Sequence, residues 1–294
     1  MRLFTEPPTR ELLFRETRDV DVELENSLKS WGKLPVNGAW LVNSHPKSGT
    51  HLLRNILLHF NSAVVHHTML FYDTFVVALN GSTKSSIHVG HIPYSLFFEA
   101  APYTSEPCTI LLLRHPCAIL LALARSFYDV NTKRPDHLKM RERQSFAEIV
   151  KDVACGYARA GQRFAPLSDS LAEFGTEWLG NVEFTVKFED MIARLASPPL
   201  ASPRLASPRL ASPRLTSNDR NLVDFFAPML RAVFGDVPAD AAARLRAGAC
   251  SGISATYSRT QDWARQERTP EQVYDLLPAA AADALREAAY RFGY

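Results

Sequence analysis

"AWLVNSHPKSGTHLLRNILLHF", residues 39–60, joins a short apolar run, a polar turn and a helical pattern without a break. The run at 39–42 has the length and composition of a buried strand. Leu52, Leu53, Ile56, Leu57 and Phe60 then recur at the spacing of one helix face. In a strand-to-helix turn the amides near Ser48, Gly49 and Thr50 can converge on an anion, and a glycine lets the backbone approach it closely. Lys47 adds a positive charge able to neutralise an oxygen on which charge develops during group transfer. A solvated lysine in a surface turn is the competing reading of the same residues. The turn lacks the upstream glycine and the Gly-Lys order of a GxxxxGK[ST] nucleotide loop.

Similar strand-to-helix units follow. "CTILLL" at 108–113 leads through "RHP" into "CAILLALARSFY", residues 146–160 read as a helix, and "VEFTVKFEDM" at 182–191 holds a late strand running into acidic residues. Alternation of this kind predicts an α/β fold with a mainly parallel sheet flanked by helices. Ligands are then expected at the carboxyl edge of the strands.

The flanks are simpler. Residues 1–38 read as a peripheral arm, polar and proline-bearing, with a short helix over 20–29. Residues 39–294 read as a single domain, interrupted at 195–217 by "LASPPLASPRLASPRLASPRLTS", whose recurring prolines suit an exposed linker better than a regular element. Beyond it lie an amphipathic helical segment and alanine-rich helices. With 33 basic and 31 acidic side chains, the net charge of +2 argues against a nucleic-acid binder, so phosphate recognition should be local. The four cysteines lack metal-site spacing, and no metal is expected. Without a signal-like apolar run or a stretch long enough to span a bilayer, the expected setting is the cytoplasm.

Several segments together resemble the sulfotransferase family. "HPKSGTHLLRNIL" is similar to its 5'-phosphosulfate loop, "LLLRHPCAILLALARSFYD" to its strand, Arg-x-Pro turn and helix, and "GHIPYSLF" at 90–97 to its HLP-containing catalytic segment. "FED" at 188–190 resembles its later Tyr-Glu-Asp strand end, and "QDW" at 261–263 part of its C-terminal cofactor loop. The matches run in family order across 39–294. The resemblance implies a P-loop-like sulfotransferase fold and transfer of a sulfuryl group from 3'-phosphoadenosine 5'-phosphosulfate to a hydroxyl or amine of a small-molecule or carbohydrate acceptor. It implies that Lys47 stabilises the leaving phosphate, that Ser48, Gly49 and Thr50 hold the 5'-phosphate, that Arg114 pairs with the 3'-phosphate, and that His91 is the general base.

The chain departs from the family's pattern at several places. His51 and Leu52 stand where threonine and tryptophan are common, Ala122 stands where a phosphate-binding serine is usual, and "CSGIS" at 250–254 replaces a basic pair. Ser126, one helical turn beyond Ala122, and Arg259 are the residues placed to compensate. Glu189 and Asp190 are read as structural helix-start acids, and His45, His66, His67 and His88 as structural. Phe71, Tyr72, Tyr94, Phe97 and Tyr128 are candidate walls for an acceptor pocket. Two other functions stay open, a catalytically degenerate adenosine-phosphate-binding or scaffold protein, and a nucleotide-dependent phosphotransferase. The sequence does not specify the oligomeric state.

Overall fold

The computed structural model describes residues 28, 31–61, 64–66, 85–99, 107–128, 144–159, 162–195, 217–255 and 268–294. Five strands, β1 (Ala39–Ser44), β2 (Val64–His66), β3 (Ser86–Gly90), β4 (Cys108–Leu113) and β7 (Phe184–Lys187), form one sheet in the order β2-β3-β1-β4-β7. Every pairing in it is parallel, with Val42 of β1 opposite Val89 of β3 and Ile110 of β4. A short antiparallel hairpin, β5 (Tyr157–Arg159) and β6 (Gln162–Phe164), stands apart from it. The architecture is α/β, with a parallel sheet between layers of helices.

The strand pleat explains the two layers. Successive side chains point to opposite faces, so Trp40 and Val42 enter one core while Leu41 enters the other, and Ile110 and Leu112 part from Leu111 and Leu113 in the same way. The first core is closed by α1 (Thr50–Leu58), α6 (Phe188–Leu195), α7 (Ser217–Phe234) and α8 (Ala241–Ala255). The second is closed by α3 (Pro116–Tyr128), α4 (Phe146–Cys155), α5 (Leu167–Phe174), α9 (Pro270–Tyr274) and α10 (Ala279–Arg291), with α2 (Tyr94–Glu99) beside them. Strands buried on both faces read as unbroken apolar runs rather than alternations. That is the form of "CTILLL".

The helix expected over 146–160 is shorter. α4 begins with a capping box between Ser145 and Glu148 and ends at Cys155, because Gly156 adopts φ 78° and turns the chain into the β5–β6 hairpin. Glycine takes that conformation at little cost and so ends the helix. The helix expected over 20–29 and the repeat itself fall almost wholly outside the described residues. Leu195 ends α6 and Ser217 begins α7.

The described end of the N-terminal arm packs on the domain. Val36 is buried with the α1 layer, and the Leu34 amide donates to the Phe60 carbonyl at 2.9 Å. Buried Arg244 of α8 donates to the Gly32 carbonyl at 2.7 Å and the His59 carbonyl at 2.8 Å, with Asp240 as its ion-pair partner. The paired carboxylate and the accepted carbonyls offset the cost of burying that charge.

Candidate anion and group-transfer site

Parallel pairing brings the carboxyl ends of the strands to one edge. Ser44 ends β1, Gly90 ends β3 and Leu113 ends β4, so the turn at 45–49, His91 and Arg114 all leave the sheet on that side. Lys47, Ser48, Gly49, Thr50, His91 and Arg114 are therefore brought together from segments far apart in the chain.

The turn between β1 and α1 is tight and left-handed at two positions. Lys47 has φ 71° and Gly49 φ 95°. A non-glycine residue at positive φ is costly and persists only where its surroundings fix it. Here the Ser48 amide donates to the His45 carbonyl at 3.1 Å, and Nη1 of Arg114 donates to the Lys47 carbonyl at 2.7 Å. A Cβ on Gly49 would overlap the Phe188 ring at the start of α6. The same ring lies 4.5 Å from the Arg114 guanidinium carbon, so Phe188 packs against both the glycine and the arginine. Gly49 caps α1 without any side-chain hydrogen bond, while its own carbonyl accepts from the Leu52 and Leu53 amides at 2.9 and 3.2 Å.

Ser48 is fully buried, and its hydroxyl has no hydrogen-bond partner. Leaving a buried hydroxyl unsatisfied costs on the order of 1–3 kcal/mol. Beside it, the Thr50 and Ser44 hydroxyls share a 2.5 Å hydrogen bond.

His91 is held from two sides. The Asn43 side-chain amide donates to the Ile92 carbonyl at 3.0 Å and accepts from the Ile92 amide at 2.9 Å, and the Trp178 indole donates to that same carbonyl at 3.2 Å. Nδ1 of His91 lies 2.8 Å from the Ser44 carbonyl. A carbonyl only accepts, so Nδ1 carries the proton and Nε2 is left with the lone pair. Burial pushes the His91 pKa down to about 3, with the Ser44 bond acting against it and His45, His51 and Lys47 adding smaller downward pushes. His91 is thus a neutral imidazole with a fixed tautomer.

His45 is buried, with a hydrogen-bond partner at each ring nitrogen. Nδ1 donates to the Pro46 carbonyl at 2.7 Å, Nε2 accepts from Ser170 Oγ of α5 at 2.9 Å, and burial lowers its pKa to about 4. His88 is buried on β3, with Nε2 3.1 Å from the Ser86 hydroxyl. Tyr94 and Phe97 pack against Trp178 at centroid separations of 5.4 and 4.8 Å. Phe71, Tyr72, His67 and Arg259 lie outside the described residues. Ser126 and Tyr128 fall within the last turn of α3.

Arg114 is partly buried, with its Nε atom enclosed and unpartnered. Burial lowers its pKa; Glu189 opposes that shift and Arg125 reinforces it. Glu189, part of the "FED" strand end, reaches further than its place in the sequence suggests. Glu189 accepts from the His115 amide at 3.2 Å and from the Tyr294 hydroxyl, while the Tyr294 ring meets the His115 ring edge-on at 5.1 Å. Glu189 thereby links the Arg-His-Pro turn to the last helix layer, a wider role than helix-start acid. Among the described residues no group of three or more His, Cys, Asp or Glu side chains is arranged to hold a metal ion. Among them, no helix is long and apolar enough to cross a membrane.

No protein-family model matches the sequence. No curated protein matches it either. Among solved structures, the chain is similar to mouse sulfotransferase SULT7A1 complexed with PAP, at 16% identity, over 90% of this chain and 93% of that one, with a TM-score of 0.48.

Proposed function

We propose that this protein transfers a sulfuryl group from 3'-phosphoadenosine 5'-phosphosulfate to a hydroxyl or amine acceptor. The observation that carries the reading is the turn at 45–49, where a lysine held at φ 71°, a buried hydroxyl without a partner and a helix N-terminus with no side-chain cap converge beside a neutral histidine. The donor, when bound, supplies an activated sulfuryl group with a phosphate as its leaving group.

Each residue then has a physical task. The α1 amides and the Ser48 and Thr50 hydroxyls hold the 5'-phosphate, an anion placed at the positive end of a helix. Lys47 brings its ammonium to the oxygen on which charge develops, where a fixed positive charge lowers the barrier. Arg114 offers a rigid fork to the 3'-phosphate. His91 accepts the acceptor's proton at Nε2 while Nδ1 stays bound to the Ser44 carbonyl. Its depressed pKa makes it a weak base on its own, and nearby negative charge on the departing phosphate favours the imidazolium.

The test is sulfuryl transfer from radiolabelled donor to a panel of phenols, alcohols, amines and sugars. Labelled product that falls sharply with His91→Ala, and least for acceptors already ionised at the assay pH, supports the reading. Donor binding with no turnover across the panel supports a degenerate binding protein instead.

A further inference from the structure

Two consecutive residues of the turn after β4 meet two consecutive residues at the start of α6. The Phe188 ring lies 4.5 Å from the Arg114 guanidinium carbon, and Oε1 of Glu189 accepts from the His115 amide at 3.2 Å. Burial lowers the Arg114 pKa and Glu189 opposes that shift, so the carboxylate is close enough to act on the guanidinium. Yet no ion pair joins the two among those of the described residues. A carboxylate beside a guanidinium ordinarily closes on it through charge-assisted hydrogen bonds. Here it is turned elsewhere.

Tyr294 supplies the restraint. Its hydroxyl donates to Oε2 of Glu189 at 2.5 Å, so both carboxylate oxygens are engaged, one by a backbone amide and one by a phenol. The phenol is itself held from several sides. Its ring meets His115 edge-on at 5.1 Å, and the Lys187 ammonium stands 4.7 Å from the ring centre while donating to the Gly293 carbonyl. The Tyr294 amide donates to the Ala289 carbonyl at 2.9 Å. On the arginine, Nη1 is engaged by the Lys47 carbonyl, whereas Nε is enclosed without a hydrogen-bond partner. The guanidinium therefore keeps donors that an outside anion or the neighbouring carboxylate can take.

We propose that Tyr294 is a positioning residue, which holds the Glu189 carboxylate off Arg114 and so keeps the arginine open to the ribose phosphate of a bound nucleotide. The identity of the ligand rests on the proposed function; the restraint on Glu189 does not. Without the phenol hydroxyl, Oε2 is free to turn onto the guanidinium. The chain's own carboxylate then competes with the ligand for the same donors.

A crystal structure of Tyr294→Phe, which keeps the ring and loses only the hydroxyl, tests the restraint with no ligand present. A Glu189 oxygen within ion-pair distance of the Arg114 guanidinium is expected, and a carboxylate still clear of Arg114 overturns the proposal. Calorimetry of the full chain with 3'-phosphoadenosine 5'-phosphate tests the consequence. Tyr294→Phe should bind it at least about fivefold more weakly than the unmodified protein, because apparent affinity falls with the fraction of Arg114 left open. In a Glu189→Gln background, where the competing charge is gone, the same change should cost less than about twofold. A merely structural tyrosine would cost the same in both backgrounds, and that result overturns the proposal. Adenosine 5'-phosphate, which lacks the ribose phosphate, should bind Tyr294→Phe and the unmodified protein alike; an equal loss for both nucleotides also overturns it. If the unmodified protein binds neither nucleotide, the proposed function fails, and the crystal structure alone decides the restraint.

Discussion

Nη1 of Arg114 donates to the backbone carbonyl of Lys47 at 2.7 Å, so the turn after β4 and the turn after β1 are one hydrogen-bonded unit. The arginine proposed to bind a phosphate also secures the strained residue that carries the proposed catalytic ammonium. Arg114→Ala should therefore show two losses. The affinity for 3'-phosphoadenosine 5'-phosphate should fall by about 1.5–3 kcal/mol in calorimetry, and urea unfolding should show a destabilisation of about 1 kcal/mol from the loosened turn. Arg114→Lys keeps the charge but not the fork, and should restore less than half of either loss. A variant that binds and unfolds like the original would dissolve the link.

Gly49 is fixed by conformation and by space. Gly49→Ala places a side chain at φ 95° and drives its Cβ into Phe188. The backbone contribution is on the order of 1–2 kcal/mol and the overlap another 1–3. The two parts separate in a double-mutant cycle. Phe188→Ala removes the overlap, so Gly49→Ala should cost less by urea unfolding in that background than alone. Strict additivity would mean that the ring gives way and that the conformation alone demands glycine.

Much of the fold is legible in the sequence alone. The "AWLV" and "CTILLL" runs show their burial on both faces through unbroken apolar character, and the Pro-Lys-Ser-Gly-Thr turn shows its place through the helical spacing that follows it. Local signals of that kind survive folding because neighbours in sequence form them. The hydrogen bond from Arg114 to the Lys47 carbonyl and the path from His115 through Glu189 to Tyr294 depend on how distant elements pack, which no spacing records. The end of α4 at Gly156 was legible in principle. A reading of 146–160 as one helix runs through that glycine, whose φ of 78° ends the helix instead.

Two histidines with depressed pKa values should make the protein acid-sensitive. In the folded chain the pKa values of His45 and His91 lie near 4 and 3, below the ordinary value of 6.5. The unfolded chain thus binds protons first as pH falls. Stability is full above about pH 6.5 and declines below it, approaching a slope of about 1.4 kcal/mol per pH unit for a fully buried group. For His91 the decline should persist toward pH 3. Urea unfolding at pH 7, 6 and 5 checks the sign, and His45→Gln should flatten the curve. Stability that holds level from pH 7 to 5 would show that both rings remain open to protonation in the fold.

Gly248 reverses a usual helix rule. Replacing glycine by alanine inside an exposed helix stabilises it by about 0.5–1 kcal/mol. In α8 a Cβ at Gly248 would lie 2.5 Å from Cα of Ile56 and 2.9 Å from the Asn55 carbonyl, both backbone atoms of α1 that no rotamer change can move. Gly248→Ala should therefore destabilise by about 1–3 kcal/mol. It should also lower nucleotide affinity slightly, because α1 is the helix whose N-terminus faces the turn. A rise in melting temperature would mean that the two helices are not packed this closely.

Lys47 invites a test in which stability and rate move in opposite directions. Its φ of 71° strains any residue with a Cβ, so Lys47→Ala keeps the strain and removes only the ammonium, whereas Lys47→Gly removes both. Lys47→Gly should be more stable than Lys47→Ala by up to about 1 kcal/mol in urea unfolding. The lysine is proposed to act where charge appears in the transition state, so both variants should lose most of the single-turnover rate at saturating donor, by about 100-fold or more. Donor affinity should fall far less than the rate, since an interaction made chiefly in the transition state contributes little to ground-state binding. A rate loss matched by an equal loss of affinity would make Lys47 a simple phosphate ligand. A full rate in Lys47→Gly, measured with a productive acceptor, would remove the lysine from the chemistry and leave its left-handed conformation as a feature of the turn alone.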